Sequence, residues 1–118
     1  SGAWNYSGGG TRGSDNEELF LYKGMTYQFD NPVHASHPLQ LRVSSGGSAF
    51  TNGVSNNASG NTTYFTVPQN AANLVIQCTN HSSMLGVLTK LIIPTLYYSQ
   101  HISMTTLNVW MRQNSLTI

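Results

Sequence analysis

The feature that most constrains this chain is a succession of short runs alternating apolar and polar residues, cut by turn-forming residues at roughly 8–12-residue spacing. Strand side chains point to opposite faces in turn, so each such run can bury one face and wet the other. Glu18 to Tyr22 reads as a strand closed by Lys23-Gly24. Met25 to Asp30 follows, with Met25, Tyr27 and Phe29 on one face, and Asn31-Pro32 ends it because proline has no N–H to give to a ladder. His37 to Ser44 alternates again, assigning Leu39, Leu41 and Val43 to the core and Gln40 and Arg42 to solvent. Asn61 to Val67 is β-branched and aromatic and stops at Pro68-Gln69-Asn70; Asn73 to Gln77 and Val87 to Ile93 are two further strands. No stretch before Pro94 carries a sustained helical period. The fold class expected is all-β, an antiparallel sandwich.

At 118 residues the chain is long enough for one core and too short for two. Residues 1–16 are rich in Gly, Ser and Asn and read as an N-terminal arm, with Trp4 and Tyr6 as the residues that would dock it. Residues 17–93 form the domain proper, interrupted by a long Gly/Ser/Asn loop from Ser44 to Gly60 that Phe50 and Val54 can pin. Residues 94–118 are a C-terminal extension, rich in apolar residues such as Leu96, Tyr97, Tyr98, Ile102, Leu107, Val109 and Trp110. Leu107, Val109 and Met111 fit a strand, whereas Leu107, Trp110 and Met111 fit a helix face. So apolar a segment is expected to pack on the domain or on a partner subunit, as in a homo-oligomer through residues 95–118.

Charged residues make up 8% of the chain and the net charge is +1, with no cluster of Lys or Arg, which argues against a nucleic-acid partner. No run approaches the roughly 18 apolar residues of a membrane span. A single cysteine excludes an intramolecular disulfide, a copper pair bridged by two thiolates, and a zinc ribbon.

That cysteine opens the stretch Cys78-Thr79-Asn80-His81-Ser82-Ser83-Met84, between two strand-like runs. Cys-x-x-His-x-x-Met on a hairpin loop allows a thiolate, an imidazole and a thioether to converge. Alone, a cysteine at a strand end is most often a small buried hydrophobe, and the methionine core filler. Upstream, His34 and His37 both offer a further imidazole. His34 follows the breaker Asn31-Pro32-Val33 and reads as a solvent-exposed loop residue. His37 heads an alternating strand and shares the inward parity of Leu39, Leu41 and Val43. The candidate metal ligands are therefore His37, Cys78, His81 and Met84. Two His, one Cys and a weaker axial Met form the donor set of a blue-copper site, and one Cu(I)/Cu(II) ion is the expected cofactor. Thr79, Asn80, Ser82 and Ser83 are placed to supply hydrogen bonds that orient the ligands. Leu85, Val33 and Ala35 would form an apolar rim.

On these residues the chain resembles the cupredoxins over about Glu18 to Ile93, with the short Cys-His-Met spacing of amicyanin-like loops. It is similar to a marine and phage-associated cupredoxin-like group with a His-Pro-Leu strand and a Cys-x-Asn-His-x-x-Met-x-Gly loop, here His37-Pro38-Leu39 and Cys78 to Gly86. The resemblance implies a Greek-key β-sandwich of about seven or eight strands followed by an extra C-terminal segment. It also implies an exported (periplasmic or extracellular) electron carrier that docks a redox partner protein near His81. Better-known members follow the first histidine with an asparagine whose side chain ties the two ligand loops together. Pro38 stands there instead and can donate from neither side chain nor ring nitrogen. That departure bears on redox tuning and metal preference and leaves the fold unaffected.

An electron-transfer protein is thus the leading expectation, and a β-sandwich structural or interaction module of a surface or virion protein, with a structural or absent metal, is the alternative. Catalysis is not expected: Asp15, Glu17, Glu18 and Asp30 form no evident acid–base pair, and four protein donors leave no position for substrate.

Overall fold

Residues that alternate in the sequence alternate in burial. The computed structural model describes residues 2–8, 11–70, 72–91, 100–103 and 110–114. Ten strands lie among them: β1 (Ser7–Gly8), β2 (Leu19–Tyr22), β3 (Thr26–Asp30), β4 (Leu39–Arg42), β5 (Val54–Ser55), β6 (Thr62–Thr66), β7 (Leu74–Cys78), β8 (Leu85–Leu91), β9 (Gln100–Ser103) and β10 (Trp110–Asn114). Met25, Tyr27 and Phe29, placed on one face by the sequence pattern, are all buried, as are Leu39 and Leu41 of β4. Seven of the strands, β2 to β8, fall within residues 17–93, in keeping with the seven or eight expected of the sandwich.

The strands form two sheets, ordered β1-β9-β10-β3-β6-β5 and β2-β8-β7-β4. β2 runs parallel to β8, and the other pairings are antiparallel. The core holds Leu19 and Leu21 of β2, Tyr27 and Phe29 of β3, Leu39 and Leu41 of β4, Phe65 of β6, Leu74, Ile76 and Cys78 of β7, and Leu88 of β8. Phe50 of the long loop packs edge-on against Phe65, ring centroids 6.1 Å apart, and with Val54 it anchors the loop as expected. Gly53 lets this loop close on β6: its φ is 78°, and a Cβ there would sit 2.3 Å from the Thr66 carbonyl oxygen.

Val43 corrects the sequence expectation. It has core parity, yet β4 ends at Arg42 and Val43 is 50% exposed. A tight turn takes over there, with Val43 N–H donating to Ser48 O and Gly47 N–H to Ser44 O.

Both ends of the chain contribute to the body. Trp4 and Tyr6 are among the largest fully buried side chains, and β1 lies at the edge of the six-stranded sheet. Residues 100–103 and 110–114 are strands within that sheet, seated between β1 and β3. Ile93, the run from Leu96 to Tyr98, Leu107 and Val109 lie outside the described residues. Among the described residues no helix is long and apolar enough to cross a membrane.

Candidate metal centre

β7 carries Cys78 at its last position with the inward parity of Leu74 and Ile76, so the thiol sits at one end of the core, 1% exposed. β7 and β8 form the expected hairpin, with Gln77 paired to Leu85. Its loop is closed by Cys78 N–H donating to Met84 O at 3.0 Å and Met84 N–H donating to His81 O at 3.0 Å. These two bonds turn His81 back toward the cysteine. Leu39 of β4 pairs with Cys78, which brings the residues just before β4 alongside the thiol.

His37 and His81 therefore both lie beside the sulfur, next to each other. Cys78 Sγ lies 3.7 Å from His37 Nδ1 and 3.5 Å from His81 Nδ1, and the donor atoms of the three residues all fall within 4.8 Å of one another. The two rings are 4.7 Å apart and tilted by 39°. Metal–nitrogen and metal–sulfur bonds of about 2.0 and 2.3 Å, at an angle of about 110–120°, span roughly 3.5–3.7 Å between donor atoms. The two sulfur–nitrogen separations match that span, and on a shared ion the two imidazole nitrogens would stand about 3.3–3.5 Å apart, inside the 4.8 Å extent of the donor group, so binding would draw the rings together. Partial burial, and then the neighbouring His81, lower the His37 pKa below its usual value. The ring is thereby favoured in the neutral form that a metal takes.

Met84, the fourth expected ligand, is fully buried beside this group and joined to it through its backbone bonds to Cys78 and His81. His34 stands apart from the other donors. It is half-buried rather than solvent-exposed: its Nε2 accepts from Gly60 N–H at 3.2 Å, and its Nδ1 is enclosed without a partner. Of the expected rim, Val33 and Leu85 are half-buried and Ala35 is exposed.

Three positioning residues escaped the sequence reading. Asn31, read as a strand breaker, is buried, and its amide donates to His37 O at 2.7 Å while its Oδ1 accepts from Val33 N–H at 3.2 Å. The second bond is an Asx turn, which the Asn-Pro pair does signal in sequence; the first needs the fold. Gln77, on the outer face of β7, is also fully buried. Its Oε1 accepts from Arg42 Nη1 at 2.7 Å and from Gly46 N–H at 2.8 Å, and its Nε2 donates to Ser82 O at 2.8 Å, tying the ligand loop to β4. Trp4 Nε1–H donates to Met84 O at 3.1 Å from the far end of the sequence. Asn31→Ala is expected to lower stability by about 1–3 kcal/mol, because it leaves the His37 carbonyl without the side-chain donor. The urea midpoint measures this, and a wild-type midpoint would mean that the amide does not brace the loop.

No protein-family model, curated protein or solved structure matches the chain. The reading of the centre rests on its own donor atoms.

Proposed function

We propose that the chain is a mononuclear type 1 copper-binding electron-transfer protein of the cupredoxin kind. The observation that carries this reading is the pair of neighbouring imidazole Nδ1 atoms at 3.7 and 3.5 Å from one buried cysteine sulfur, in a β scaffold that holds all three. One copper ion, when bound, supplies a one-electron centre cycling between Cu(I) and Cu(II). His37, Cys78 and His81 would be the strong donors, and Met84 a weaker one. The strands, the Asn31 bond to His37 O and the two backbone bonds that close the Cys78–Met84 loop would hold the donors in one arrangement, which keeps reorganisation small when an electron moves. His81 is half-buried between the exposed residues Asn80 and Ser82, so it is the donor through which a redox partner protein would dock. Export to a periplasmic or extracellular site belongs to the same proposal and rests on the resemblance alone. With its donors contributed by protein, the site is read as a carrier rather than an enzyme.

A structural metal in a β-sandwich module is the second reading, because the sulfur–nitrogen separations also suit the roughly 110° angle of a tetrahedral zinc site. Colour separates the two. Cu(II) added to the apo protein is expected to bind one to one and give an intense visible thiolate-to-copper charge-transfer band, and Cys78→Ser to abolish that band while the sandwich stays folded. Full Cu(II) occupancy without colour would rule out the type 1 assignment.

A further inference from the structure

The segment that presents His37 is held from outside at three consecutive carbonyls. Ser36 O accepts from Asn80 Nδ2 at 3.0 Å, His37 O from Asn31 Nδ2 at 2.7 Å, and Pro38 O from Thr79 N–H at 3.1 Å. Two of these three bonds cross to the loop that carries the other imidazole. The Thr79 bond continues the pairing of β4 with β7 and comes with the sheet. The Asn80 bond does not: it is a side-chain bond at the protein surface, made by the residue just before His81 to the residue just before His37. One attachment beyond the end of a sheet leaves a hinge, whereas two on either side of His37 fix its rotation against His81.

We infer that Asn80 is a positioning residue that sets the separation of the two imidazoles and so pre-forms the metal site. This deepens the proposed copper reading and rests on the same three donors. Pro38 removes the side chain that could tie the loops from the His37 side, and Asn80 makes the tie from the opposite loop. An exposed hydrogen bond of this kind adds little to folding, so the consequence of losing it falls on the site rather than on the fold. Loss of a bond that orients a ligand typically weakens metal binding by about 10- to 100-fold.

The test compares Asn80→Ala, Asn80→Leu and Asn80→Gln with the wild type; none of the three adds a charge, and Gln keeps an amide donor on a longer arm. Cu(I) affinity is measured by chelator competition, and the reduction potential by titration. Ala and Leu are expected to weaken Cu(I) binding by about 10- to 100-fold and to shift the potential, with Gln recovering part of both and the apo melting temperature nearly constant. A second measurement needs no metal. In apo wild type, NMR is expected to show a ring-to-ring contact between His37 and His81 and one sharp set of signals for each; in the Ala and Leu variants the contact is lost and the signals broaden. If the wild type never develops a copper colour, the function proposal fails while the apo spectra still decide the role of Asn80. Ala and Leu variants that keep the ring contact, the sharp signals and the wild-type Cu(I) affinity would overturn the inference.

Discussion

His37→Ala is expected to eliminate the copper charge-transfer band and weaken copper binding by more than about 100-fold, beyond the loss typical of an outer-shell change. His34→Ala, three positions earlier, is expected to leave the band nearly intact. The difference follows from where the two rings lie. His37 Nδ1 is one of two imidazole nitrogens beside Cys78 Sγ, so its removal leaves the sulfur and His81 as the only strong donors of the group. His34 spends its Nε2 on Gly60 N–H, pinning the 31–37 turn to the loop before β6. Losing it should alter stability rather than colour. Visible spectra of the two variants at equal copper loading check this. A bleached His34→Ala beside a coloured His37→Ala would show that the donors have been wrongly assigned.

Trp4→Ala is expected to be the most damaging single change to the fold. The side chain is 0% exposed, and truncating a buried tryptophan costs about 3–5 kcal/mol. A whole domain has only about 5–15 kcal/mol of net stability, so the variant should melt far below the wild type or fail to fold at 37 °C. Trp4→Phe separates packing from hydrogen bonding. It keeps most of the buried ring and loses the bond from Nε1 to Met84 O, which still accepts from Cys78 N–H. Its cost should be about 0.5–1.5 kcal/mol for the bond, plus a smaller packing loss. Urea unfolding of both variants measures the split. An unchanged midpoint for Trp4→Ala would mean that the N-terminal residues do not dock on the body.

The parts of the site that the sequence displays are those governed by local periodicity. Cys78 and His81 are fixed by a hairpin whose two arms are strongly apolar, and His37 by the parity it shares with Leu39 and Leu41. Parity fails where a turn interrupts it, as at Val43, because alternation in sequence continues past the residue at which the ladder stops. Trp4 was legible as a residue that docks the N-terminal arm, but the bonds by which Asn31, Gln77 and Trp4 brace the site were not, for a different reason. Each acts through a polar bond outside any strand period: Asn31 to His37 and Gln77 to Ser82 across one loop, Gln77 to Arg42 and Gly46 across the sheet, and Trp4 to Met84, 80 residues away. A buried polar side chain that bonds outside the ladder leaves no periodic trace. The same holds for residues 100–103 and 110–114: the apolar content of the segment that contains them was evident, while their place between β1 and β3 was not.

That sheet order bears on the chain as it is synthesised. The four-stranded sheet β2-β8-β7-β4, with His37, Cys78 and His81 at its end, has all its strands once Leu91 has been made. The six-stranded sheet then still lacks the two strands that join β1 to β3: Ser7 pairs with Ser103, and Asp30, held by Thr62 on one edge, meets Trp110 on the other. Until those arrive, one edge of β3 offers unpaired N–H and C=O groups to any passing strand. A chain that ends near residue 91 thus has every strand that carries the metal donors while the opposite sheet is open, and mispairing with a neighbouring chain at the free edge of β3 is favoured until β9 and β10 pair.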